Sequence, residues 1–221
     1  HTGLYGVQTY EPDRCEDGFT LFSPAYGYAE YLVDMRGLMA YHWPVTHSNV
    51  AEILPNGNLL THNCGTWLEE IDPDGATVWR WEGDDRLETN THHDFCLDGD
   101  EIVLIARTEE PVKPGVFERG FEPDCMHTDV IWRIDRSGEV LWQFSLSEHV
   151  EEIAGLSGLP LPIPYRGSRH AGGEVEPFGT SDWAHTNTVE VLPDTPLARR
   201  DEPFRPGNVL VSFRPVDLIP I

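Results

Sequence analysis

Basic residues are scarce in this chain. Its 221 residues carry 15 lysines and arginines against 38 aspartates and glutamates, a formal charge of −23. Such a surface repels phosphate backbones and anionic lipid, which counts against nucleic-acid binding and membrane attachment. It suits a solvated acidic exterior that keeps an extracellular or salt-tolerant protein soluble. No segment reaches the roughly 18 apolar residues of a membrane span. Long helical periodicity is nearly absent. No signal peptide is visible, and the chain opens at His1 without an initiator Met, so a processed N-terminus or an artificial boundary is expected. No two of Cys15, Cys64, Cys96 and Cys125 stand in a C-x-x-C, which removes the usual zinc spacings. Four is an even number compatible with an oxidising compartment. One or two disulfides are expected, with three pairings open if both form.

Hydrophobic residues make up 39% of the chain and aromatics 10%, so it folds, and Gly 20 with Pro 18 supply many turns. The class is all-β, and its repeats fix the architecture. An apolar strand, an Asp-x-x-Gly turn and a Trp-bearing strand recur. The unit runs from Tyr31 through Asp34 and Gly37 to Trp43, from Leu68 through Asp72 and Gly75 to Trp79 and Trp81, and from Ile131 through Asp135 and Gly138 to Trp142. Asp and Gly suit a tight hairpin, Gly because it accepts positive φ. The Trp falls where an outer strand would pack on a neighbouring blade.

A second unit alternates with the first. The ten residues from His47 to Asn56 align without a gap on His185 to Asp194, with His, Asn, Glu, Leu and Pro shared. A shortened copy begins at His92-His93-Asp94 and passes through Asp98-Gly99. Each copy runs into an apolar strand, at Asn58, at Ile102 to Ile105, and at Asn208 to Val211. Together the units give four antiparallel strands per roughly 45 residues, the blade of a β-propeller. Residues 1–221 are thus expected to form one partial propeller domain. Residues 145–182 break the rhythm as an excursion loop, with a short helical piece near Ser147 to Ala154. By this count two blades and parts of others are present, so the remaining blades are expected from another chain or from a homo-oligomer.

The innermost strand of a blade lines the axial channel. Where His-x-Asn or His-x-Asp opens that strand, the period of two puts both side chains on one face. His47 with Asn49, His185 with Asn187, and His92 with Asp94 would then point toward one axis, His93 replacing His92 if the strand bulges. Arg214, ending an apolar strand after the third copy, is placed to reach the same channel. Its guanidinium fork suits sulfate or phosphate. Arg107 holds the analogous place one blade earlier, and Arg166, Arg169 and His170 lie in the excursion.

His92-His93-Asp94-Phe95, the stretch Asp182-Trp183-Ala184-His185-Thr186-Asn187, and Ser212-Phe213-Arg214 resemble the bacterial arylsulfotransferase family. The opening segments from Gly18 and from Tyr31 to Gly37 also resemble that family's first blade. The resemblance runs over nearly the whole chain; its Trp-x-His-x-Asn element is fairly specific, while the hairpins are common to propellers. It implies a six-bladed propeller, of which this chain covers roughly half, in the periplasm or outside the cell. It implies transfer of a sulfuryl group from a phenolic sulfate ester to a phenol acceptor without a nucleotide donor. In the family a channel histidine is transiently sulfated while other histidines, an Asn and an Arg hold the sulfuryl oxygens. His92 or His93, His185, Asn187 and Arg214 match the supporting positions. The family's nucleophilic histidine lies in a later blade and has no match here, nor does the separate N-terminal β domain of its best-known members.

Three readings follow. The first is an exported sulfotransferase-like enzyme with no cofactor, whose catalytic set is His92, His93, His185, Asn187 and Arg214. The second is a metal-binding propeller in which His47, His93 (or His92) and His185 ligate a transition metal. The third is a non-enzymatic binding or scaffold propeller.

Overall fold

The computed structural model describes residues 6–24, 27–63, 67–87, 91–111, 113–116, 125–158, 168–169, 175–176, 184–214 and 218–221. At positions 46–49, 63, 126, 168, 169, 175 and 176 the description is of the backbone alone. The chain divides into two compact units, His1–Glu82 and Gly83–Ile221.

The N-terminal unit is one antiparallel sheet in chain order: β1 (Phe19–Phe22), β2 (Gly27–Asp34), β3 (Met39–Ile53), β4 (Leu59–Asn63), β5 (Trp67–Ile71) and β6 (Thr77–Trp81). The long β3 changes partner part-way. It pairs with β2 from Met39 to Ser48 and with β4 from Ser48 to Ile53, with the register shifting between Ser48 and Ala51. Its first half closes one incomplete blade and its second half opens a four-stranded one, β3 to β6. Trp43, Val45, Leu59 and Ile71 form one buried cluster of this unit, with Leu21 and Leu32 packed alongside, and Leu60 and Leu68 are fully buried as well.

The C-terminal unit holds a second four-stranded blade, β7 (Phe95–Asp98), β8 (Glu101–Pro111), β9 (Cys125–Ile134) and β10 (Val140–Ser145). Two hairpins follow, β11 (Ser168–Arg169) with β12 (Val175–Glu176), and β13 (Thr186–Val191) with β14 (Val209–Phe213). The uninterrupted apolar run Ile102–Ala106 is a strand buried on both faces, every residue at 0% exposure. Each such Ile, Leu or Val contributes roughly 1.5–3 kcal/mol. Val103 and Ile105 meet Ile131, Leu146, Val189 and Phe213 in one cluster, and β13 packs on β7 and β8. The expected helical piece is a 3-10 turn, Leu146–His149, running into α1 (Val150–Ser157), which buries Val150, Ile153 and Ala154 and ends on Gly158 at φ 69. The rest of the excursion, apart from β11 and β12, lies outside the described residues.

The turns follow their residues. Asp34 Oδ1 accepts from the backbone N–H groups of Arg36 and Leu38, Asp135 Oδ1 from those of Ser137 and Glu139, and Asp72 Oδ1 from that of Ala76. The glycine in each takes positive φ: 76° at Gly37, 89° at Gly75 and 87° at Gly138. The second repeat closes in the same way in its first and last copies. Leu54 N–H donates to Asn58 O, and Leu192 N–H donates to Asn208 O, both at 2.8 Å. In return Gly57 N–H donates to Leu54 O at 2.9 Å, and Gly207 N–H donates to Leu192 O at 3.0 Å. Only residues 55–56 intervene between Leu54 and Gly57, whereas residues 193–206 intervene between Leu192 and Gly207. A longer loop is tolerated there because closure entropy grows slowly with length.

The expected disulfide is not formed among the described residues, which include Cys15, Cys96 and Cys125. Topology gives the reason within the C-terminal unit. Cys96 faces Val103 and Cys125 faces Pro111, so β8 stands between them and they lie at opposite ends of it. A disulfide needs Cα atoms within about 7 Å. Cys64 lies outside the described residues.

Candidate functional site

Two backbone departures build the site. Before β7, His92 N–H donates to Ile105 O at 2.7 Å, and Ile105 N–H donates to Asp94 O at 3.1 Å. One residue of β8 therefore faces three of the facing segment. Asp94 N–H also donates to His92 O at 2.7 Å, closing a γ-turn with His93 at its centre and φ 58. The other departure is His185, immediately before β13, at φ 43. Among the described residues these two histidines are the non-glycine residues with positive φ. Each such conformation costs about 1–3 kcal/mol and persists only where its surroundings hold it.

The strained residues meet. His93 Nε2 and His185 Nε2 are 2.8 Å apart, so one donates a proton to the other. His92 completes the cluster, with its ring centroid 4.3 Å from that of His93 and 5.1 Å from that of His185. Burial pushes the His93 imidazole down from 6.5 to about 4, aided by the charges of His92, His185 and Arg107 and opposed by Asp129.

Asp129 and Arg107 stand directly opposite each other on β9 and β8. The Asp129 side chain is 1% exposed; its Oδ1 accepts from His92 Nδ1–H at 2.9 Å and its Oδ2 from the Thr186 N–H at 2.6 Å. Burial alone would raise this carboxyl, but the hydrogen bond and charge of His92, the Thr186 N–H and Arg107 together hold it below the usual carboxylate range. Arg107 Nη2 is 2.9 Å from His92 Nε2 and 3.4 Å from Nδ1. An atom that near to both nitrogens of one ring lies over its face, as a stacked guanidinium does. Asp94 turns elsewhere. Its Oδ2 accepts from the Val189 N–H at 3.1 Å, and burial raises its carboxyl against that bond.

Of the residues singled out in the sequence, His92, His93 and His185 come together. The γ-turn breaks the period of two, so both His92 and His93 join the cluster, whereas His92 and Asp94 take different partners. Asn187 is half-buried; its Oδ1 and the Oγ1 of the fully buried Thr186 are enclosed without a hydrogen-bond partner among the described residues. Arg214 is exposed, and its backbone N–H donates to His185 O at 3.4 Å. The guanidinium set against the histidines is that of Arg107. His47 and Asn49 lie on β3 of the N-terminal unit, with their side chains outside the described residues, as are Trp183, Arg166 and His170. Sequence reasoning misses Asp129. Its signal is a carboxylate interrupting the β9 strand just before the apolar Val130-Ile131-Trp132.

One ring nitrogen from each of His92, His93 and His185 lies within 4.8 Å of the other two, near enough for a shared cation. The Arg107 guanidinium against the His92 ring opposes a cation on that ring at contact distance, while at longer range Asp129 offsets its charge.

The profile of the Arylsulfotransferase (ASST) family matches residues 6–198. The chain belongs to the arylsulfotransferase family. No curated protein matches it in sequence. A crystal structure of a protein of unknown function from Bacteroides caccae is similar over 62% of this chain and 47% of that one, at 14% identity and a TM-score of 0.40. This arylsulfotransferase-family chain therefore matches about half the length of that protein. Among the described residues no helix is long and apolar enough to cross a membrane.

Proposed function

We propose that this chain contributes to sulfuryl transfer between phenolic compounds, with the His92, His93 and His185 cluster holding the sulfuryl group. The observation that carries the reading is the meeting of His93 and His185 at 2.8 Å beside the Arg107 guanidinium. In the reaction the S–O bond of the aryl sulfate breaks, an S–O bond to the acceptor phenol forms, and the acceptor's proton ends on the departing phenolate. No nucleotide enters that balance. Sulfuryl transfer spreads negative charge over three oxygens, which suits imidazole N–H donors and a guanidinium. A neutral His93 offers a lone pair to the phenol proton at pH 7. An anionic group beside it raises its basicity, because the positive neighbours that depress it are then offset.

Asn187 and Arg214, the latter tied by its backbone to His185, are supporting residues in this reading. Further blades from another chain or a second copy, and a periplasmic or extracellular location, belong to the same proposal. The test is turnover of p-nitrophenyl sulfate with a phenol acceptor. Replacing His185 by Asn, which tolerates positive φ, should lower kcat/KM at least about 100-fold. Parent-like turnover in that variant would refute the reading.

The second reading, a transition metal on His93 and His185, has the proximity of the ring nitrogens in its favour. It is the weaker one because of Arg107.

A further inference from the structure

We infer that Asp129 is the positioning residue of the histidine cluster. The inference deepens the sulfuryl-transfer reading and rests on it for its kinetic consequence. Each strained histidine is adjacent in sequence to a group that this one carboxylate holds. Oδ1 takes His92 Nδ1–H, next to His93, and Oδ2 takes the Thr186 N–H, next to His185. The two left-handed residues belong to different segments, the entry to β7 and the entry to β13. Asp129 reaches both from β9. With its side chain 1% exposed, water cannot replace either bond.

The chemistry requires a carboxylate. Both bonds need an acceptor, and an ionised carboxylate offers two. An amide offers one oxygen, and its NH2 would face either His92 Nδ1–H or the Thr186 N–H, donor against donor. In Asp129→Asn the way to relieve this is for His92 to move its proton to Nε2, so that Nδ1 accepts. Asp129 therefore fixes which nitrogen of His92 is protonated, and through the two neighbouring residues it fixes the approach of His93 to His185. The opposite Arg107 keeps the pair close to neutral.

The experiment is nitrogen-15 NMR of the full chain, with His92 assigned by comparison with His92→Asn, alongside p-nitrophenyl sulfate kinetics. The parent should show His92 protonated at Nδ1, and D129N should show it protonated at Nε2. Removing a negative charge favours an anionic substrate, so KM should not rise in D129N, whereas kcat should fall about 100-fold from misplacement. A merely structural residue would lower stability and leave the tautomer unmoved. An Nε2–H tautomer in the parent overturns the inference even if D129N does not fold, as does an unmoved tautomer in folded D129N. Loss of the sulfuryl-transfer reading looks different: the parent then shows no turnover while its His92 tautomer still shifts in D129N.

Discussion

His93 should make the protein lose stability in acid over a defined window. Its folded pKa is pushed from 6.5 to about 4 by burial and by its positive neighbours. In the unfolded chain the ring takes a proton below about 6.5, whereas the folded ring resists until about 4. The unfolded state thus binds more protons between those values, and stability falls as pH falls through them. Above 6.5 both states are neutral and the contribution is complete. A shift of that size corresponds to at most about 3 kcal/mol, and screening of a half-exposed ring reduces it to about 2 kcal/mol. The comparison variant is His93→Asn, because Asn tolerates the φ of 58. Urea unfolding of both proteins at pH 7 and at pH 4.5 gives a double difference in which Asp94 and Asp129, present in both, largely cancel. The parent should lose about 2 kcal/mol more than the variant. Equal losses, or an NMR titration of His93 centred near 6.5, would refute the reasoning.

The remaining expectations concern turns and metals. Gly57 has φ 86 with open space around its Cβ position, so Gly57→Ala should cost about 1–2 kcal/mol in urea unfolding from backbone strain alone. Gly75 has φ 89 and Pro44 Cγ 3.3 Å from a built Cβ, so Gly75→Ala should cost more; a smaller loss than at Gly57 would contradict the contact. Because Arg107 lies against His92, elemental analysis of purified protein should find no stoichiometric zinc, copper or iron, and one bound equivalent would favour the metal reading.

What can be read from the sequence is what local chemistry decides. Asp34, Asp72 and Asp135 each accept backbone N–H groups within four residues of themselves, so the turn is contained in the motif. The alternation rule fails at His92 and His93 because it assumes an unbroken strand. The γ-turn there is set by pairing with Ile105, a residue distant in sequence. The pairing of Arg107 with Asp129 is hidden for a related reason. Residues 112–124 separate β8 from β9 in the sequence, too many for a two-residue hairpin motif to set their register, and only the folded sheet shows the two charges face to face.

The acidic exterior and an anion-holding cluster are compatible because they act over different distances. A net charge of −23 is spread over the chain, and salt screens it beyond about 8–10 Å. At the cluster the near charges decide. Asp129 is balanced by Arg107 across the sheet, which leaves the imidazole N–H groups of the histidine cluster as the polar groups nearest an anion held there. An arriving anion therefore meets donors at contact distance, while the repulsion of the distant carboxylates is weakened by solvent. The same locality explains why a carboxylate can stand in the middle of such a site. Both oxygens of Asp129 are engaged by the hydrogen bonds that hold His92 and Thr186 in place, so neither is left to face the anion.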